Sequence, residues 1–290
     1  MSYYLERIQC GVDYIEARLD QEIALEDVAK AAGISQWHFQ RMFKALTGET
    51  LKVYIRSRRL AGSLDSLLSS KLRILDIALT AGFESQEAFA RAFKQAFSLT
   101  PQQYRNLADK SLFLKKVSFD ADYLRHINHS LSLTPDIYTQ PPLLMVGKRT
   151  LFFSVDSEKN NIAEQLVPLW QGFLAHLSEI EHRVSDYCYG VVRQEAAGSE
   201  RLEYHAATAV TAVGALPEGF VACELPGGKY AKFTHRGPVR DLNHTVNYAY
   251  STWLAQSEHR HTYAPDLEIY GADYHPTSPD SVIYYAIPIG

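Results

Sequence analysis

Trp37, Gln40 and Arg41 sit at spacings that place them on one face of a short helix, and Gln86, Glu87 and Arg91 do the same about fifty positions later. Their common chemistry is hydrogen bonding to base edges. Arginine grips guanine with two parallel bonds, glutamine reads adenine, a carboxylate accepts from cytosine, and an indole touches the thymine methyl. Lys44, Arg56, Arg58 and Lys94 supply positive charge beside them, with Arg59 in the same stripe, and such groups suit phosphate oxygens. A second constellation lies far along the chain. Glu268 and Tyr270 alternate in a strand-like stretch, Tyr230 and Tyr284 occupy two others, and Trp170 lies on a helical one. A carboxylate among aromatic rings attracts an organic cation by Coulomb force and cation–π contact.

The first constellation is held by a repeat. Residues 32–56, AGISQWHFQRMFKALTGETLKVYIR, match residues 81–105, AGFESQEAFARAFKQAFSLTPQQYR. Phe39, Arg41, Phe43, Lys44 and Tyr54 recur as Phe89, Arg91, Phe93, Lys94 and Tyr104. A constant offset with apolar sites on apolar sites marks two copies of one supersecondary unit. In each copy a short helix ends at a glycine (Gly33, Gly82), and a serine (Ser35, Ser85) starts the next helix. Glycine tolerates the tight turn, and a serine hydroxyl caps the orphan amides of the helix it precedes. This is helix-turn-helix grammar, whose second helix enters the major groove while Phe39, Phe43, Phe89 and Phe93 pack inward. The remaining apolar positions predict an opening helix through Ile8, Val12, Ile15 and Leu19, and a long helix from Val53 to Leu68. Thr100, Pro101 and Gln103 predict a last helix opened by a capping box.

From Leu143 the pattern changes to strand, helix, strand, strand, and it occurs twice. The first set is 143–153, a helix over 161–180, then 187–193 and 203–213. The second is 229–235, a helix over 239–256, then 267–274 and 282–289. The expected architecture is multidomain. An all-α double helix-turn-helix domain covers 1–108, a linker with an entry strand 109–134, and an α+β domain of duplicated units 135–290. Alternation in 267–270 would send Leu267 and Ile269 towards the helices and Glu268 and Tyr270 to an open cleft, with Tyr230 and Tyr284 on that same cleft face.

Composition agrees with a globular protein. The chain has 290 residues, 46% of them hydrophobic, and a net charge of −4. Residues 1–110 hold 15 Lys and Arg against 13 Asp and Glu, a balance of +2, and the rest hold 14 against 20, a balance of −6. A DNA-binding half so weakly charged must gather its basic residues on one face. No run of about eighteen apolar residues exists, so a cytoplasmic location and no membrane partner are expected. Cys10, Cys188 and Cys223 lack paired spacing and read as buried, reduced thiols. His259, His261 and His275 match no metal-binding spacing and read as surface histidines, and no catalytic or cofactor signature is present.

The stretches RMFKALTG, IRSRRL, ILDIAL, AGFESQEAFARAFK and TPQQYR resemble the DNA-binding domain of the AraC/XylS transcription regulators over about residues 1–110. The resemblance implies a bacterial regulator that binds double-stranded promoter DNA as a monomer and activates through RNA polymerase. Its base-contacting positions carry over to Trp37, Gln40, Arg41, Gln86 and Arg91. Glu87 and Ala88 depart from the Gln and Thr familiar in the subgroup, and a carboxylate there favours cytosine. The stretches LPGGKYAKFTHRGPV, PDLEIYGADYHP and VIYYAIPI are similar to the GyrI-like effector-binding domain. That similarity implies a duplicated fold whose cleft takes a lipophilic, often cationic, small-molecule effector on an acidic residue, here Glu268. Some alternatives stay open on sequence alone. Arg41 and Arg91 read guanine or hold phosphate, Trp37 is exposed in preference to core, and Trp170 is core in preference to a cap. Glu268 binds a cation, or is solvated or paired with Arg236 or Lys232. The alternative to effector binding is a domain that hydrolyses or sequesters small molecules while tethered to DNA.

Overall fold

The computed structural model describes residues 3–107, 129–157, 159–196 and 199–290. Most of the expected linker therefore lies outside the described residues. The chain divides into two compact units, one within Tyr3–Ser118 and the other within Phe119–Gly290.

The regular elements among the first unit's described residues are all helices: α1 (Tyr3–Glu16), α2 (Leu25–Ala32), α3 (Gln36–Thr47), α4 (Leu51–Ser69), α5 (Ile74–Thr80), α6 (Gln86–Phe97) and α7 (Pro101–Leu107). Its boundaries follow from local chemistry. Gly33 and Gly82 take φ of 69° and 72°, the left-handed conformation that turns α2 into α3 and α5 into α6. Ser35 accepts from the His38 amide, and Ser85 accepts from the Ala88 amide at 3.1 Å. The capping box forms as expected: the Thr100 amide donates to Gln103 Oε1 at 2.8 Å, and the Gln103 amide donates to Thr100 Oγ1 at 3.2 Å.

The repeat is visible in the packing. Phe43 meets Tyr54 edge to face at 5.2 Å, and Phe93 meets Tyr104 at 5.7 Å. Around the second copy Leu60, Leu67, Ile77, Phe89, Phe93, Phe97 and Tyr104 form one buried cluster. The copies are tied by Arg59 on α4. Its guanidinium donates to the Leu19 and Gln21 carbonyls near the first copy and to the Gly82 carbonyl in the second turn. A Cβ at Gly82 would lie 2.8 Å from that guanidinium carbon and would displace Arg59, while the φ of 72° is what favours glycine there.

The second unit is built on one antiparallel sheet of eight strands: β1 (Asp136–Gln140), β2 (Leu143–Phe152), β3 (Arg183–Gln194), β4 (Leu202–Val210), β5 (Val221–Leu225), β6 (Gly228–Arg236), β7 (Asp266–Tyr270) and β8 (Val282–Ile289). Their order is β1-β6-β8-β7-β3-β4-β2-β5. Helix α8 (Ile162–Leu174) joins β2 to β3. Helix α9 (Leu242–Tyr248) continues into a π-helical turn, Ala249–Leu254, before β7. The duplicated strand-helix-strand-strand plan is present, and its halves meet where β3 pairs with β7. Several details differ from the sequence reading: β4 ends at Val210 and α8 ends at Leu174. β3 starts at Arg183, β7 stops at Tyr270, and β5 is an additional edge strand paired to β2.

Cross-strand register assigns side chains to faces. Glu268 pairs with Gly190 and Tyr285, and Tyr204 pairs with Val192 beside Asp266, so these residues share one face. Trp170 of α8 and Tyr250 of the π-helical turn reach that same face. The helices therefore cover Glu268 and Tyr270, the reverse of the expected arrangement. Leu267 and Ile269 point to the other face, into a cluster with Met145, Val191, Leu225 and Tyr230.

Candidate nucleic-acid interface and effector site

The two recognition helices present different surfaces. On α6, Gln86, Glu87, Arg91 and Lys94 are exposed while Phe89 and Phe93 are fully buried. The Glu87 carboxyl is held below the usual carboxylate range by its own backbone amide and the Ser85 hydroxyl, with Arg91 adding attraction. A full negative charge thus stands beside Arg91 on the outer face. On α3 the corresponding side chains are buried: Trp37, Gln40 and Arg41 are 5%, 6% and 7% exposed. This corrects the expectation of an exposed indole. The Trp37 ring packs at 4.8 Å from the His38 ring, with the Arg41 guanidinium 5.6 Å over it. A groove contact by these three requires that they come to the surface.

The basic stripe is partly committed to the fold. Arg56 is exposed and Lys44 half-buried near the end of α3. Arg58, expected at phosphate, instead forms a fork to Glu16 with Nε at 2.8 Å and Nη2 at 3.0 Å, and Tyr54 donates to the same carboxylate at 2.6 Å. The Arg58 hydrogen bond holds the Glu16 carboxyl below its ordinary value against the opposing effect of burial. Burial first, then the Glu16 bond, pushes the Tyr54 hydroxyl up to about 12. Arg58 therefore joins α4 to α1, as Arg59 joins the copies.

In the second unit Glu268 is the centre of an aromatic cluster. Its Oε2 accepts from the Tyr204 hydroxyl at 2.5 Å and from the Tyr270 hydroxyl at 2.8 Å. Trp170 donates its Nε1 hydrogen to the Tyr204 oxygen at 3.1 Å, and its ring lies 5.0 Å from Tyr270. Trp170 is half-buried and roofs the carboxylate's tyrosines rather than serving only as core. Tyr270 in turn meets Tyr274 at 4.6 Å. Burial, then the neighbouring Glu268, raises both the Tyr204 and Tyr270 hydroxyls well above the ordinary tyrosine value, so at neutral pH they are donors. Gly190 makes room for this geometry, because a Cβ there would stand 2.1 Å from the Tyr204 oxygen and 2.6 Å from Glu268 Oε2. Tyr204 and Gly190 were not found from sequence.

Tyr230 and Tyr284 do not join this site. Tyr230 is fully buried on the opposite face and donates to the Pro265 carbonyl at 3.0 Å. Tyr284 carries Lys232 Nζ 5.3 Å over its ring, and Lys232 pairs with Asp136 at 3.0 Å. The alternation that separates neighbouring residues was right, but β6 and β8 run in the phase that turns these tyrosines away. Nor is His261 a surface residue. Its Nδ1 accepts from the Tyr263 amide, which leaves the proton on Nε2 to donate to Asp266 at 2.9 Å. Asp266, fully buried, also accepts from the Tyr250 and Tyr285 hydroxyls, so a second carboxylate anchors the π-helical turn.

Comparison with known proteins follows these two units. Residues 134–289 match the GyrI-like small molecule binding domain family, and residues 28–107 match a helix-turn-helix domain family. The transcriptional regulator Rob of Salmonella typhimurium is 32% identical over 261 residues, which is 89% of this chain and 87% of that protein. The multiple antibiotic resistance protein MarA of Escherichia coli is 43% identical over 105 residues, 36% of this chain and 83% of that protein. Among solved structures, a regulator with an AraC-type DNA-binding domain from Chromobacterium violaceum is 24% identical and covers 37% of this chain and 95% of its own, with a TM-score of 0.35. No helix among the described residues is long and apolar enough to cross a membrane.

Proposed function

Because the chain belongs to the AraC-type transcription regulators that carry a GyrI-like small-molecule-binding domain, we propose that it couples promoter reading by its two helix-turn-helix units to capture of a lipophilic cation at Glu268. It is a sequence-specific DNA-binding regulator. The finer assignments rest on the geometry. Gln86, Glu87 and Arg91 occupy the exposed outer face of α6, where they read bases, and Lys94 holds phosphate one turn on. Trp37, Gln40 and Arg41 do the same for the first copy once they are uncovered, with Lys44 and Arg56 at the backbone. The DNA-bound chain activates transcription through contact with RNA polymerase.

The observation that carries the effector reading is the Glu268 carboxylate held by Tyr204 and Tyr270 beneath Trp170. A carboxylate already oriented by two hydroxyls, with aromatic rings around it, receives a cation without having to order itself first. Helix α8 supplies the Trp170 part of the cover. Pro168 lies inside it and donates no amide hydrogen, and Val167 and Leu174 are exposed on its outer side. Binding, rather than turnover, is favoured because the Tyr204 and Tyr270 hydroxyls both donate to Glu268 Oε2, which occupies the oxygen that a general base would use.

The test is titration of full-length protein with octylamine and with tetraethylammonium, followed by calorimetry and indole fluorescence, with and without a selected promoter duplex. Saturable binding that Glu268→Gln weakens at least about tenfold supports the site, on the scale of a lost charge-assisted contact. Equal binding by Glu268→Gln refutes it. An effector that binds free and DNA-bound protein equally refutes the coupling.

A further inference from the structure

Within β7 only Glu268 escapes full burial, since Asp266, Leu267, Ile269 and Tyr270 are all buried. The carboxylate therefore meets solvent on one side, and its neighbours mark which. Gly190, Tyr204 and Tyr285, which lie beside it on the sheet, are buried. Half-buried instead are Trp170 on α8 and Tyr274 on the loop 271–281 that joins β7 to β8. Both rings pack edge to face on Tyr270, the indole at 5.0 Å and Tyr274 at 4.6 Å. The open side of the carboxylate thus lies where these two rings stand.

Tyr274 owes this position to a loop that is polar in composition but fixed in backbone. Just beyond the strand, a Cβ at Gly271 would come within 2.6 Å of the Tyr187 ring, and the Tyr274 amide donates back to the Gly271 carbonyl at 3.1 Å. The Asp273 carbonyl accepts from the Val282 amide at 3.0 Å, and the His275 amide donates to Oγ of the fully buried Ser281 at 3.0 Å. Bonds on both sides of Tyr274 therefore set its backbone. Ala272, Asp273, His275, Pro276 and Thr277 around it are exposed, while the Tyr274 ring turns back onto Tyr270. Burial, then the charge of Glu268, raises the Tyr274 hydroxyl above the ordinary tyrosine value, so the field of the carboxylate reaches this ring. A half-exposed ring so placed attracts a cation through its quadrupole while the carboxylate behind it adds Coulomb force.

We infer that Tyr274 is a specificity-determining residue of the effector site: together with Trp170 it stands at the entrance to Glu268, and its ring face contacts the incoming cation. The inference rests on the reading of Glu268 as the cation site. It adds the side from which the cation enters and a contact supplied by the β7–β8 loop. The ring rather than the hydroxyl makes that contact, because cation–π attraction belongs to the π-face.

The experiment titrates full-length parent, Tyr274→Phe, Tyr274→Leu and Glu268→Gln proteins with octylamine and with tetraethylammonium by calorimetry. Tyr274→Leu keeps an apolar side chain but removes the π-face, and it should weaken both cations about threefold to tenfold, the scale of one cation–π contact. Tyr274→Phe should bind as the parent does, which guards against loss through a misfolded loop. Parent-like affinity in Tyr274→Leu, with binding weakened in Glu268→Gln, overturns the inference and leaves the cation site standing. Equal losses in Tyr274→Phe and Tyr274→Leu overturn it also, since the ring face would then contribute nothing. Absence of binding to the parent by both cations removes the Glu268 reading itself, and this inference with it.

Discussion

Replacing Gly190 with alanine tests the geometry of the effector site with a single methyl group. The new Cβ would sit 2.1 Å from the Tyr204 oxygen, 2.6 Å from Glu268 Oε2 and 2.7 Å from Tyr204 Cζ, all far inside contact distance. Tyr204 cannot retreat easily, since it is buried with Phe152 edge-on at 5.9 Å and Trp170 at 6.4 Å. Overpacking of this kind costs about 1–3 kcal/mol. Separating the hydroxyl from the carboxylate forfeits a hydrogen bond to a charged group, about 1.5–3 kcal/mol. Alanine also restricts the unfolded chain, which returns roughly 0.4–1 kcal/mol. The balance is a loss of about 2–4 kcal/mol in the second unit, and a unit of this size shifts by about 2–4 °C per kcal/mol. Differential scanning calorimetry of the full chain should show the corresponding transition lowered by roughly 5–15 °C, with octylamine affinity reduced in parallel. Adding Tyr204→Phe removes the nearest clashing atom and should restore part of the loss. A Gly190→Ala protein that melts within about 1 °C of the parent would show that this packing reasoning is wrong.

Three further outcomes are expected. Arg91→Ala should weaken binding to a selected duplex by about tenfold or more, the scale of a bidentate base contact, whereas Glu87→Gln should tighten it and relax the preference at the facing base pair. Fluorescence anisotropy against single-base variants decides, and unchanged binding by Arg91→Ala removes α6 from the groove. Ser85→Ala should cost about 1 kcal/mol by uncapping α6, read as lowered melting and faster hydrogen exchange at the Ala88 amide. Stability should also respond to alkali through Tyr54, whose hydroxyl titrates at about 12 in the folded chain and near 10 when unfolded. A folded-state value that is raised gives stability present in full below about pH 10 and lost as pH rises towards 12. Urea titrations across that window should flatten in Tyr54→Phe, and an equally steep decline there would assign the effect elsewhere.

The helical unit was legible because its signals are local. Gly33 and Gly82 need a left-handed backbone, Ser35 and Ser85 bond amides three residues on, and Thr100 with Gln103 completes a capping box. Each lies within one helical turn of sequence. The sheet was legible in outline only. Alternation separated Glu268 from Leu267, yet both faces of β7 are covered, so polarity does not mark which face the helices take. Tyr204 was hidden for the same reason, because every residue of β4 is buried and the strand has no polar phase to read. Tyr230 and Tyr284 share a residue type with the site but not its phase, which only register reveals. Gly190 left no sign in the sequence, since its role depends on an oxygen from one strand and a carboxylate from another.

The duplication within one chain also has an evolutionary side. In a symmetric dimer, one substitution in the recognition helix alters both half-sites at once, and a promoter must change twice to follow. Here Gln36-Trp37-His38 opens one recognition helix and Gln86-Glu87-Ala88 the other, so the two readers have already drifted apart. In the proposed reading, where both helices contact bases, each can mutate while its twin keeps hold of the old sequence. A regulator of this design can migrate between promoters half a site at a time, keeping a foothold at every intermediate step.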